Sequence, residues 1–260
     1  MKNNIVTSLK SYNSYNKSIV ATLALATAFA GQAMASDTTS PMSVEIGAGW
    51  NVAQKSILNT GDECPKLDTY GVDVTGVYAL DKNNALTLRI GVSQGSKDNN
   101  LSFGEDNGDG YWWRSTEHNK YSVDTYAITV GYRYTGEITE SLSGFVGANI
   151  GIASSKIKCE FGGTNTWAGG EGGDAYGDSK SESAIGLAYS IEAGVTYKVS
   201  STVNIFVAYQ ISGNSAAPKF TETAYGWDPD AGEEYSYETE WAKGKSQIYH
   251  GIRAGVSVQF

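Results

Sequence analysis

The chain has 260 residues, a formal net charge of −9 and no linker-like stretch that would divide it, so it carries one large domain. It holds 17 Tyr and 6 Trp against 7 Phe, and 31 Gly against 4 Pro, a balance that suits strands, tight turns and a membrane–water interface. No basic patch accompanies the acidic charge, which excludes nucleic acid as a partner.

The first 35 residues have the form of a secretory signal peptide. Lys2, Lys10 and Lys17 precede the apolar run Ile19 to Ala30, and Ala33-Met34-Ala35 supplies a small-x-small cleavage pattern. The run is short of the ~20 residues of a membrane-spanning helix. Removal of residues 1–35 takes the charge to −12 and leaves residues 36–260 as the folded domain.

From there the pattern is alternation with a period of two, repeated eight times. The first segment sets Val44, Ile46, Ala48, Trp50 and Val52 against Glu45, Gly47, Gly49 and Asn51. The second sets Tyr70, Val72, Val74, Tyr78 and Leu80 against Gly71, Asp73 and Thr75. After a turn at Asp81 to Asn84, the third sets Leu86, Leu88, Ile90 and Val92 against Thr87, Arg89, Gly91 and Ser93. The fourth sets Tyr126, Ile128, Val130, Tyr132 and Tyr134 against Thr129, Gly131 and Arg133. A turn around Gly136 leads to the fifth, with Leu142, Val146, Ala148, Ile150 and Ile152 against Ser143, Gly147 and Asn149. The sixth sets Ile185, Leu187, Tyr189, Ile191, Val195 and Tyr197 against Ser190, Glu192 and Thr196. Ser200-Ser201-Thr202 turns into the seventh, with Val203, Ile205, Val207, Tyr209 and Ile211 against Asn204, Ala208 and Gln210. The eighth sets Ile252, Ala254, Val256, Val258 and Phe260 against Gly251, Arg253, Ser257 and Gln259.

Short turns alternate with long connections near 54–68, 97–120, 157–183 and 213–246. This sorting predicts a closed antiparallel eight-stranded transmembrane β-barrel, an all-β up-and-down meander with short turns on one rim and long loops on the other. Tyr70 and Tyr78, Tyr126 and Tyr134, and Tyr189 and Tyr197 are each eight residues apart on the apolar face. Eight residues rise roughly 27 Å, or about 20 Å along the membrane normal at ~40° tilt, which suits two aromatic girdles. The apolar face must then meet lipid, so Glu45, Asp73, Arg89, Arg133, Glu192 and Arg253 point into the lumen. An eight-stranded barrel is just wide enough for side chains to fill it, and buried charges there must pair. The same six charges leave open an ion or proton path.

The closing segment, Ile252-Arg253-Ala254-Gly255-Val256-Ser257-Val258-Gln259-Phe260, resembles the last strand of bacterial outer-membrane proteins, which ends in an aromatic residue. The resemblance implies that Phe260 is read by the barrel-assembly machinery. Residues 36–260 as a whole resemble the small outer-membrane barrels of the OmpX, Ail, opacity-protein and OmpA-transmembrane-domain type. That implies a bacterial outer-membrane location, lipid and lipopolysaccharide as surroundings, loops outside the cell and periplasmic termini. Proteins of the Ail and opacity type act in adhesion and serum resistance, often through basic or hypervariable loops, whereas the loops here are acidic. The likeness is specific for architecture and weak for activity.

The long connections hold the remaining chemistry. Cys64 and Cys159 fall in two of them, and an oxidising periplasm would favour a disulfide; two separate thiols are the alternative. Tyr111, Trp112, Trp113, Trp167, Trp227 and Trp241 sit among Gly, Asp and Glu. Such residues stack on sugars and recur at protein-binding hot spots, which points to an extracellular glycan or protein ligand. They equally suit packing of a barrel that continues above the membrane, since Phe220, Glu222 and Ala224, like Tyr235, Tyr237 and Thr239, prolong the alternation. Glu105-Asp106-Asn107-Gly108-Asp109-Gly110 misses EF-hand spacing because Gly108 stands at the third ligand position, so no metal and no cofactor are expected. Catalysis has little to work with. His118 lies beside Glu117 in a connection, and Ile252 follows His250 where a lipid A deacylase resemblance would require serine. Three readings follow, with no enzyme among them: a surface-interaction protein, an envelope-integrity protein without ligand, and a narrow pore.

Overall fold

A computed structural model describes residues 41–59, 64–106, 112–167, 173–228 and 233–260. The signal segment, Tyr111 and residues 107–110 of the acidic run lie outside them. The strands are β1 Met42–Ala53, β2 Thr69–Ala79, β3 Asn84–Asp106, β4 Trp112–Glu137, β5 Leu142–Trp167, β6 Gly173–Lys198, β7 Val203–Asn214, β8 Lys219–Asp228, β9 Glu233–Lys243 and β10 Gln247–Gln259. Eight close into a barrel in the order β1-β10-β7-β6-β5-β4-β3-β2, every neighbour antiparallel. Closure by β1 and β10 removes the edges that an open sheet would expose. The other two strands, β8 and β9, form a separate hairpin inside the connection 213–246.

Parity decides which way each side chain faces. Within the lower part of the barrel the apolar set points out and the polar set points in. Ile128, Ile152 and Ile185 are 50%, 60% and 77% exposed, and all six girdle tyrosines lie on the same outer face. Tyr70 pairs with Trp50 at the upper rim, and Tyr134 pairs with Asn84 at the lower. A continuous apolar belt this large is unstable in water and stable in lipid.

The three short turns share one construction. Leu80, Ile138 and Val199 donate their amides to the carbonyls of Asn84, Leu142 and Val203, each four residues on. The residue after each donor supplies a side-chain oxygen. Asp81 accepts from the amides of Asn83 and Asn84, Thr139 from Ser141 and Leu142, and Ser200 from Thr202 and Val203. These are the side-chain turns that Asp, Ser and Thr favour. The second turn therefore falls at 138–141, not around Gly136, which stays in β4. Thr139 is the reason, because its hydroxyl offers the local acceptor that glycine lacks.

The connections 97–120 and 157–183 differ most from their reading as loops. β3 and β4 run on to Asp106 and from Trp112, and β5 and β6 to Trp167 and from Gly173. β3 has 23 residues and β4, β5 and β6 have 26 each, against 11–13 for the other barrel strands. The inner parity persists in this extension but its chemistry inverts. Tyr121, Val123, Ile157 and Cys159 are buried inside, whereas Asp124, Lys156, Lys158 and Glu160 face out. Water replaces lipid as the outer medium at that height, so the apolar face must turn inward.

Candidate functional site

The lumen is crossed by one charge network just above its lower end. Arg133 makes a two-pronged contact with Glu45 and donates Nη2 to Glu192 at 3.0 Å. Arg89 donates to Glu192 at 2.6 Å, to Thr75 at 3.2 Å and to Gln210 at 3.2 Å. Arg253 donates to both oxygens of Asp73, at 2.8 and 2.5 Å, and its Nη1 lies 3.4 Å from Glu45. The structure thus brings all six sequence-predicted lumen charges together, three of each sign. Fork-shaped guanidinium contacts satisfy several carboxylate lone pairs at once, which is the condition for burying such charges. Gly47 is required beside them, since a Cβ there would sit 2.7 Å from Arg253 Nε.

Sequence reasoning passed over two members of this layer. Phe145 and Phe206 are buried on the inner face, beneath the guanidinium groups. Arg133 lies 4.6 Å from the ring centre of Phe145, and Arg253 lies 4.4 Å from that of Phe206. Aromatic faces attract such cations. The available signal was a large ring in the polar parity, between Ser143 and Gly147 and between Asn204 and Ala208. Above the network the lumen opens into a cavity of about 140 Å³, lined in part by Ser93, Thr125, Ala153, Ser190 and Ser212.

An apolar cap covers this chamber. Ile57, Leu58, Cys64 and Leu67 from the first connection pack on Tyr121, Val123, Ile157 and Cys159, with Phe220 and Ala242 from the hairpin. The first connection is pinned along the chain before β10, where Asn59 donates to the Lys243 carbonyl at 2.8 Å and Lys245 donates to that of Ile57 at 2.9 Å. Trp241 joins the cap. Its ring lies 5.3 Å from Phe220 and 5.9 Å from Phe161, with the Lys180 ammonium 5.5 Å above it. Lys180 also bridges to Glu222 at 2.6 Å, tying the hairpin to β6.

Cys64 and Cys159 both lie in this cluster. Burial, with Cys64 alongside, pushes the Cys159 thiol up to about 12. On the outer face, burial raises the Asp124 carboxyl above its ordinary value, and Lys156 partly offsets this. Trp112, Trp113 and Trp167 stand at the tips of β4 and β5, with Trp113 paired to Trp167, and Trp227 stands at the tip of β8. His118 contacts Asn100 on the exposed extension. His250 lies on β10 beside Tyr209, 6.3 Å between rings, so the two histidines are not brought together. Phe260 donates its amide to the Met42 carbonyl at 3.2 Å, closing the lower end of the barrel.

No family model matches the chain, and no curated protein matches it in sequence. Solved structures do match. Neisserial surface protein A is 12% identical, with 85% of this chain and 98% of that one covered at a TM-score of 0.41. Ail of Yersinia pestis, solved with the heparin analogue sucrose octasulfate, is 16% identical, with 83% and 98% covered at 0.36. A major outer membrane protein from Thermus thermophilus is 12% identical, with 84% and 99% covered at 0.41. Likeness at this level says nothing of activity. The barrel assignment rests on the closed strand register itself.

Proposed function

We propose that this protein is an integral bacterial outer-membrane barrel that holds an acidic, aromatic surface outside the cell for attachment to a glycan or protein surface. The observation that carries this reading is the length of β3 to β6. β4 starts at Trp112, 14 residues beyond Tyr126, and β6 at Gly173, 16 beyond Tyr189, roughly 45–55 Å along the strand and about 35–40 Å along the membrane normal. A barrel serving only as an envelope brace or a pore has no use for this height. The crossed arginine–carboxylate network favours an anchor over a channel, because it fills the lumen with side chains that need one another.

In this reading the periplasmic termini and Phe260 belong to the assembly route, and outer-leaflet lipid and lipopolysaccharide surround the belt. Cys64 and Cys159 pair after passage through an oxidising compartment. The bridge closes a loop of nearly a hundred residues and stabilises by about 4–5 kcal/mol in the chain-entropy view. Mass spectrometry of protein from the native envelope should find the linked peptide, and two unlinked peptides would remove this element.

The attachment reading is tested by trimming the extension at residues that already pair. Excising 100–118 joins Asn99 to Asn119, and excising 164–175 joins Gly163 to Tyr176. The doubly trimmed barrel should still insert and show heat-modifiable migration, while cells displaying it lose attachment to the glycan or host surface that the parent binds. Undiminished attachment by the trimmed protein would sink the reading.

A further inference from the structure

Between the charge network and the apolar cap, the inward positions of the barrel change character. Below stand Arg133, Phe145 and Phe206, and above stand Tyr121, Val123 and Ile157. At the level between them the inward residues are small, with Gly49, Gly71, Gly91, Ala127, Ala153 and Ala188 on six neighbouring strands. Their size is what opens the chamber of about 140 Å³.

This chamber has two unlike walls. The contiguous strands β4, β5 and β6 present Ala127, Ala153 and Ala188. Polar groups on these strands are engaged elsewhere. Thr125 shares a hydrogen bond with Ser155 at 2.9 Å, Ser190 accepts from Asn149 at 3.3 Å, and Thr129 stands level with Arg89 in the floor. The remaining five strands, contiguous in turn, present Ser93, Thr69, Asn51, Tyr249 and Ser212. Tyr249 is 6% exposed, and its hydroxyl has no hydrogen-bond partner among the described residues. A hydroxyl buried in this way calls for a partner.

The floor is spent on itself. Arg89 gives its donors to Thr75, Gln210 and Glu192, and Arg253 gives its own to Asp73, Thr75 and Glu45. Three cations balance three carboxylates there, so an ionic ligand would find no counter-charge. Asp68, near the top, takes the Ala53 amide at 3.1 Å and lies outside the lining.

From these two walls we infer a binding site for one small uncharged polyol, with its carbon chain on the three alanines and its hydroxyls on Ser93, Ser212 and Tyr249. Water alone suits only half the chamber, because a buried water needs two to four polar partners and the alanine wall offers none. A cavity of about 150 Å³ takes a ligand of about six heavy atoms, the size of glycerol. The site lies inside the lumen, apart from the attachment surface, and does not depend on it.

The test uses full-length refolded protein in detergent micelles prepared without glycerol. It is titrated with glycerol, with pentan-3-ol, which keeps the size but has a single hydroxyl, and with glycerate, which carries a carboxylate. NMR shifts of Ala127, Ala153, Ala188 and Ser212 are followed. Glycerol should give a saturable one-to-one shift and nuclear Overhauser contacts to the alanine methyls. Pentan-3-ol and glycerate should each bind at least about tenfold more weakly. Tyr249→Phe removes only the hydroxyl and should weaken glycerol about fivefold. Ala153→Val and, separately, Ala127→Val should abolish binding by filling the alanine wall. Heat-modifiable migration establishes that each variant is folded, so a loss of binding is not a loss of the barrel. An absent saturable shift would mean that the chamber takes water only. Equal affinity for pentan-3-ol would remove recognition of hydroxyls, and tighter glycerate would show an arginine free to meet an anion. Parental binding by Tyr249→Phe and both valine variants would place glycerol elsewhere. Each of these results overturns the site.

Discussion

Glu192 is the residue on which the lumen depends most. It is 2% exposed and takes a donor from each of Arg89 and Arg133. Glu192→Ala leaves two guanidinium groups facing each other with a carboxylate gone, and removing one partner of a buried pair costs about 3–5 kcal/mol. Denaturant unfolding in micelles should show that loss, and a loss under about 1 kcal/mol would mean that solvent reaches the network. Cys159 gives a second check. Its thiol, pushed up to about 12, stays protonated at pH 8, so the folded, reduced protein should react with maleimide far more slowly than the unfolded chain. At the lower rim, Asp81 is held below its ordinary value by the Asn84 side chain and the Asn83 amide. A lowered acid stabilises above its unfolded value of 3.8, and the contribution is lost as pH falls through the folded value. Amide exchange at Asn83 and Asn84 should accordingly quicken only below about pH 4. The six lumen charges were legible from parity alone. Which arginine meets which carboxylate was not, because Arg133 and Glu45 are 88 positions apart and meet only across the closed lumen.

Among the elements, alternation placed all eight barrel strands but misjudged their ends. In sequence the extensions of β3 to β6 resemble loops, because their outward positions are Asp, Lys, Ser and Glu and their tips are rich in Gly. A strand in water on its outer side needs no apolar outer face, so the period-two signal changes sign instead of stopping. Tyr121, Val123, Ile157 and Cys159 are the places where that sign change can be read. The cap is the element that the extension makes available, and Phe220 is its largest fully buried side chain. Phe220→Ala should loosen the cap without unfolding the barrel, since the strand ladders beneath it remain whole. Limited proteolysis should then cut within 54–68 faster, at unchanged heat-modifiable migration. Unaltered cleavage would show that the first connection is held by its backbone bonds to the chain before β10.

For the molecule as a whole, the lipid belt, the crossed lumen and the cap act in series from the rim of short turns upward. A lumen filled by paired side chains predicts electrical silence in planar bilayers, and discrete conductance steps from the unmodified protein would overturn the anchor reading. Period-two alternation, short turns sorted between long connections and matched tyrosines determined by themselves that this chain is an eight-stranded barrel with a polar interior, because each is a local property written along the chain. Only the tertiary structure decided that the barrel rises well above the lipid, that a hairpin and the first connection roof it, and that Trp241 packs in that roof. Those outcomes depend on contacts between distant segments whose residues are chemically ordinary in sequence and acquire their role from what closure sets beside them.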